Sequence, residues 1–278
     1  MIRLCALLSL VPAVAFAQAP PGTLVDAGGY RVHIYCTGAG TPTVMIVGGF
    51  SFDWALVQSE VAKFTRVCTY DASGTAWSDP GPAPTCPGRV DEIHRVLAGA
   101  KIDPPYVLAG FSAGALFTRL YTREYPKDVA ALVLIDHAYL PPPVAAPPAI
   151  SGPDSPPVLI SATPIEIGVD DEPGFEELPQ SVRDLQQWAM SRNPVRPDAA
   201  LARACISELG TTALGSLPLV VVSTANDAPG YAELQKSLLA LSRSSHQFIA
   251  AESFHSIEIS QPEVVVRAIR QAVEETRK

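Results

Sequence analysis

The 278-residue chain carries 28 Asp and Glu against 20 Lys and Arg, a formal net charge of −8. An acidic chain without a clustered basic patch excludes nucleic-acid binding as its task, because holding a phosphate backbone needs concentrated Lys and Arg. Its length and ordinary hydrophobic content predict one sizeable domain with a single continuous core.

Met1-Ile-Arg3 opens the chain, and an apolar run follows from Leu4 to Ala17, ending Ala15-Phe-Ala17. A positive start, a short apolar stretch and a small-x-small site form the pattern of a secretory signal peptide, with cleavage near Ala17. The run is broken by Pro12 and falls short of the roughly 20 apolar residues that a membrane span needs. The expectation is therefore a secreted or periplasmic product that leaves the membrane once residues 1–17 are removed. Four cysteines then remain, Cys36, Cys68, Cys86 and Cys205. An even number in an oxidising compartment predicts two disulfides, with three pairings open.

Leu24–Val25 and Tyr30–Cys36 straddle Ala27-Gly28-Gly29 and predict an opening antiparallel hairpin. Thr43–Val47 reads as a buried strand, and Asp53 as the cap of a helix carrying Leu56, Val57, Val61 and Phe64. Arg66–Tyr70 is the next strand, and a helix around Asp91–Ala100 leads to another strand from Tyr106. Ala130–Ile135 is apolar throughout, as a strand covered on both faces must be. From Ala138 the alternation breaks into a proline-rich stretch, Pro141 to Pro157, and then into helices around Ser181–Ser191 and Asp198–Leu209. Core character returns with Leu217–Val222, a helix near Tyr231–Leu241 and a last strand, His246–Ala251. Ser260-x-x-Glu263 has the form of a capping box opening a final helix that buries Val265, Ile269, Ala272 and Val273. Strands alternating with helices predict an α/β architecture, a mostly parallel sheet with right-handed crossovers.

Within this pattern the strand Tyr106-Val-Leu-Ala109 runs into Gly110-Phe-Ser112-Ala-Gly114, and Leu116, Phe117, Leu120 and Tyr121 then recur at helical spacing until Pro126. Such a corner is so tight that positions two before and two after the serine cannot hold bulky side chains, which is why glycine stands at both. Ser112 would project alone above the sheet edge, with the Ala113 amide and a helix start beneath it, where developing negative charge is stabilised. No phosphate-cradling loop or cofactor signature is present, and no Cys or His pair stands at metal-ligand spacing, so neither cofactor nor metal is expected.

From about Gly22 to its end the chain resembles the α/β-hydrolase fold family. The resemblance rests on the Gly-Phe-Ser-Ala-Gly elbow and on three further features in order. Val44–Val47 followed by Gly48-Gly49-Phe50 and Trp54 is similar to the family's strand and His-Gly-x loop, with Gly48 where histidine is usual. Tyr70-Asp71-Ala-Ser-Gly74-x-x-Trp77-Ser78-Asp79-Pro80 is similar to its Asp-Arg-x-Gly-x-Gly-x-Ser-Asp loop, lacking the arginine at Ala72 and a glycine at Ala76. Phe254-His255 to Pro262-Glu263 is similar to its histidine loop before the closing helix.

The resemblance implies an eight-stranded, mostly parallel sheet flanked by helices. The core would comprise residues 18–137 and 216–278, with a cap or lid inserted after the sixth strand over 138–215. It pairs Cys36 with Cys68 on neighbouring strands, and Cys86 with Cys205. The family's order of serine, acid and histidine implies Ser112 as nucleophile. Of the later histidines His255, beyond the carboxyl end of the last strand, is implied as base, whereas His246 begins that strand and His137 lines the pocket or an edge. Asp227 after the seventh strand is the implied acid, with Asp136 at the end of the sixth as the alternative. The amides of Phe50 and Ala113 would form the oxyanion hole. His33, His94 and the Asp170-Asp171-Glu172 run are assigned no chemistry.

The resulting expectation is a serine hydrolase acting on a small-molecule carboxylic ester or lactone through an acyl-enzyme. Serine rather than aspartate at the elbow argues against dehalogenase or epoxide hydrolase chemistry. The alternatives are an amidase or peptidase, a cofactor-free lyase or perhydrolase using the same triad, and a binding protein on a hydrolase scaffold without turnover.

Overall fold

A computed structural model describes residues 20–137, 173–192, 199–209, 213–225 and 231–278. The leader cleavage site, the proline-rich stretch, the Asp170-Asp171-Glu172 run and Asp227 lie outside the described residues. Among the described residues there are eight strands: β1 (Thr23–Asp26), β2 (Arg31–Thr37), β3 (Thr43–Val47), β4 (Val67–Tyr70), β5 (Tyr106–Phe111), β6 (Val129–Ile135), β7 (Leu219–Thr224) and β8 (Ser245–Ala250). They form one sheet in the order β1-β2-β4-β3-β5-β6-β7-β8. β2 runs antiparallel to both its neighbours, and every other adjacent pair is parallel.

The α-helices among the described residues are α1 (Ala55–Val61), α2 (Cys86–Gly99), α3 (Ala113–Glu124), α4 (Gln180–Arg192), α5 (Ala199–Leu209), α6 (Tyr231–Ser237), α7 (Ile257–Ser260) and α8 (Pro262–Glu275). Because side chains alternate along a strand, Met45, Leu108, Leu132, Leu134 and Val221 face one way and pack with Val90, Ile93, Leu116 and Leu120 of α2 and α3. Val44, Ile46, Val107, Val133 and Val222 face the other way, against Val57 and Val61 of α1 and Val265, Ile269 and Val273 of α8. Each such side chain contributes about 1.5–3 kcal/mol by leaving water. This two-sided burial is why β3, β5, β6 and β7 carry almost no polar residue.

Cys36 and Cys68 are register partners across β2 and β4 and are joined, as are Cys86 at the start of α2 and Cys205 in α5.

Three local expectations are corrected. Asp53 does not cap α1; it lies inside a 3-10 turn, Ser51–Trp54, that precedes the helix. α2 starts at Cys86, earlier than the apolar spacing suggested, because the Thr85 hydroxyl accepts the Gly88 amide and Pro87 suits the first turn. Ser260 opens no capping box: it ends α7, its hydroxyl donating to Ser253 Oγ at 2.6 Å, and α8 begins after Gln261 with Pro262 in the first turn.

Candidate active site

β5 delivers Ser112 with φ 52° and ψ −122°, and α3 begins at the next residue. A non-glycine residue in that conformation is strained and persists only where neighbours over-determine it. Here the Ser112 amide donates to the Ile135 carbonyl at 3.0 Å. A Cβ at Gly110 would stand 2.4 Å from Thr118 Oγ1, and one at Gly114 only 2.0 Å from the Val47 carbonyl oxygen. The glycines therefore let α3 pack directly on β3 and β5.

His255 follows β8 in a turn before α7. Its Nε2 lies 3.0 Å from Ser112 Oγ, and its Nδ1 meets Asp136 Oδ2 in a short contact. The Phe111 ring lies 4.9 Å from the imidazole, centroid to centroid, with the two planes 32° apart. Against an ionised carboxylate Nδ1 carries the proton, which leaves the Nε2 lone pair facing the serine hydroxyl.

Asp136 is buried directly beyond β6, with φ 40°, its amide donating to the Val222 carbonyl at 2.8 Å. The next residue is clamped on two sides. The His137 carbonyl accepts from Tyr231 Oη at 2.9 Å and Gln235 Nε2 at 2.8 Å, while Arg119 Nη1 donates to His137 Nε2 at 3.1 Å. Buried His137 thus braces the segment that carries the carboxylate.

The loop after β3 approaches the same corner. Trp54 Nε1 donates to the Gly48 carbonyl at 2.9 Å, and the indole packs edge-on against Phe111. The Phe50 amide donates to Asp53 Oδ2 at 2.7 Å, while the Asp53 amide returns a hydrogen bond to the Phe50 carbonyl at 3.1 Å. Gln186 Nε2 of α4 donates to Asp53 Oδ1 at 3.0 Å. Burial, opposed in part by these two hydrogen bonds and reinforced by the nearby Asp71 charge, pushes the Asp53 carboxyl up to about 7.

Behind the loop, Asp71 accepts the Ser51 amide at 2.7 Å and lies 2.8 Å from His33 Nδ1, and His33 Nε2 lies 2.5 Å from the Pro21 carbonyl oxygen. His33 is thus a structural link between the start of the sheet and the loop.

Ser112, His255 and Asp136 are brought together, Ala113 opens α3, and the Phe50 amide faces a carboxylate. His94 stacks on Tyr125 and contacts the Tyr121 hydroxyl at 3.2 Å, and His246 pairs with Glu275 at 2.7 Å. Sequence reasoning missed Gln186 and the true partner of Asp53. The second was available in principle, since an acidic side chain three residues after a turn's first amide is placed to accept it.

A family model described as the alpha/beta hydrolase family matches residues 32–268, and the chain belongs to that family. A thermophilic esterase from Thermogutta terrifontis is similar in structure with TM-score 0.66 and 20% identity, over 92% of this chain and 99% of that one. The epoxide hydrolase CorEH is similar with TM-score 0.62 and 14% identity, over 91% and 98%. Two such different chemistries on one architecture mean that these likenesses establish the fold, and that the residues at the elbow must decide the reaction. An uncharacterized protein of Schizosaccharomyces pombe is 27% identical over 154 residues, 43% of this chain and 29% of its own length. The match spans less than a third of that relative.

Proposed function

We propose that the protein is a serine hydrolase that cleaves small carboxylic esters or lactones through an acyl-enzyme on Ser112. The observation that carries the reading is the contact series Ser112 Oγ, His255 Nε2, His255 Nδ1, Asp136 Oδ2 at the mouth of the sheet. His255 Nε2 takes the hydroxyl proton as Oγ bonds to the carbonyl carbon, and Asp136 offsets the imidazolium charge and holds its tautomer. The tetrahedral oxyanion is received by the Ala113 amide at the start of α3, and by the Phe50 amide once Asp53 gives it up. Collapse breaks the bond to the alkoxide, which takes the proton from His255 and leaves as the alcohol. Water then loses a proton to His255 as it attacks the acyl carbon, and the acid departs with Ser112 restored. Asp136 is preferred as acid because it meets His255, whereas Asp227 lies outside the described residues.

Export belongs to the same proposal. Two disulfides fit an oxidising compartment, and among the described residues no helix is long and apolar enough to cross a membrane.

The test is incubation of the purified protein with a fluorophosphonate probe and, separately, p-nitrophenyl butyrate, beside Ser112→Ala. Labelling and turnover in the native chain that vanish in the variant are expected. Silence of the native chain in both assays would overturn the hydrolase reading in favour of a non-catalytic binding protein.

A further inference from the structure

Asp53 is a buried carboxylate with no task in the chemistry above, yet it holds the amide which that chemistry needs. A tetrahedral oxyanion and an adjacent carboxylate cannot both be served by one N–H. They compete for a single donor and repel each other, with little water between them to screen the repulsion. A neutral carboxyl differs: its oxygen accepts about half as strongly as a charged one, so a full negative charge on the substrate oxygen displaces it.

Gln186 supplies the second observation. While its Nε2 serves Asp53 Oδ1, its Oε1 is buried without a hydrogen-bond partner among the described residues. Half a turn of the carboxamide would bring Oε1 to Asp53 as an acceptor, the arrangement a protonated Oδ1 requires. One side chain from an inserted helix thus matches either charge state of the carboxyl.

We propose that the Asp53 carboxyl is a proton-operated gate on the second oxyanion donor, steadied by Gln186: charged, it keeps the Phe50 amide for itself, and neutral, it yields the amide to the tetrahedral intermediate. The inference rests on the serine-hydrolase reading above. The elements packed against this turn bring Tyr70 and Asp71 from the end of β4, Glu258 from α7, Glu60 from α1, and Arg183 and Asp184 from α4. Asp71, with His33 beside it, is the one whose charge acts on Asp53, and as a like charge it favours the neutral form. Arg183 is spent on the carbonyls of Glu176 and Leu178 and on Gln180, and Glu60 pairs with Lys63. With burial pushing the group up to about 7, both states are populated near neutrality.

The experiment measures kcat for p-nitrophenyl butyrate and fluorophosphonate labelling from about pH 5.5 to 9.5, using the native chain, Asp53→Asn and Gln186→Leu. Native turnover is expected to rise as His255 loses its proton and then fall to a plateau roughly 100-fold lower, the loss typical of one oxyanion donor. Asn is a permanently neutral isostere, so the alkaline fall should vanish in Asp53→Asn. Although Gln186 can serve both states, its bond to the charged carboxyl is about twice as strong as one to the neutral form, so in Gln186→Leu the fall should move to higher pH. A native profile flat to the alkaline end, the same fall in Asp53→Asn, or an unmoved midpoint in Gln186→Leu would overturn the gate. A purely structural Asp53 would lower kcat evenly at every pH, which also overturns it. Should Asp53→Asn not fold, the Gln186→Leu midpoint decides. Absence of labelling at any pH sinks the Ser112 reading itself, whereas labelling with turnover that rises and then holds level to the alkaline end sinks the gate alone.

Discussion

Replacing Asp136 by Asn exchanges one carboxylate oxygen for an NH2 group and should nearly abolish turnover. His255 Nδ1 faces Asp136 Oδ2, and the other ring nitrogen faces Ser112 Oγ at 3.0 Å. An asparagine amide presented to Nδ1 stabilises the opposite tautomer, with the proton on Nε2, so that the ring offers the serine a donor where a base is needed. In the same constellation elsewhere, loss of the orienting carboxylate lowers kcat by about 10⁴. At 1.36 kcal/mol per factor of ten that is roughly 5.5 kcal/mol of transition-state stabilisation. Asn fits the buried site and the loop is braced through His137, so the folded state should persist. The assay is kcat and KM on a nitrophenyl ester, with Asp227→Asn in parallel and melting temperature as the folding control. The expected result is a collapse of kcat in Asp136→Asn with KM nearly unchanged, and only a several-fold effect in Asp227→Asn. If the two variants exchange places, the acid is Asp227 and the reasoning from the His255 contact fails.

The Asp53 carboxyl is raised from 3.8 to about 7, so its contribution to stability is fully present below about pH 4 and is lost as pH rises through 7. Urea unfolding at pH 5 and pH 8 should show Asp53→Asn lacking that loss, whose ceiling is about 4 kcal/mol for a shift of roughly three units; an identical pH slope in both proteins would count against it. The Cys86–Cys205 bond joins positions 119 residues apart, and replacing both cysteines by serine should cost about 4–5 kcal/mol on loop-closure grounds. Calorimetry would show an unmoved melting temperature if the bond carries no such load. Gly114→Ala puts a Cβ 2.0 Å from the Val47 carbonyl oxygen and 3.0 Å from the Gly48 amide nitrogen. Displacing the Gly48–Phe50 loop from the elbow by even an ångström should cut kcat on the order of 100-fold if that loop supplies the proposed oxyanion donor, and near-native turnover would show that α3 does not need that close approach.

The succession of strands along the chain and their parallel direction were legible because β3, β5, β6 and β7 are short apolar runs divided by amphipathic helices, a pattern that a sheet covered on both faces produces. The β2 to β4 pairing followed from the family resemblance, and with it Cys36 beside Cys68. Local chemistry at element ends was less legible. Asp53 has the composition of a helix cap, and nothing in its neighbourhood in sequence announces a partner 133 residues away in α4. The Ser260-x-x-Glu263 spacing suits a capping box, yet Pro262 sets the start of α8 and leaves Ser260 in the preceding turn. Hydrogen bonds made across the fold override propensities that a window of a few residues records.

The ambiguity over the acid has a geometric origin. Phe111 and Ile135 are register partners on adjacent strands, so Ser112 and Asp136 leave the sheet side by side at the same level, both with positive φ. His255 comes from beyond β8, three strands from β5 in the sheet order. At about 4.8 Å per strand, its loop must reach back across roughly 14 Å to meet the serine. Strands β6 and β7 both lie under that path, which is why spacing alone admits a carboxylate following either one, Asp136 or Asp227. What separates them is attachment. Asp136 leaves β6 with no intervening residue, its amide tied to β7 and its neighbour gripped by α3 and α6, whereas Asp227 stands three residues past the end of β7. A short stem anchored on two sides suits a carboxylate that holds an imidazole within a few tenths of an ångström.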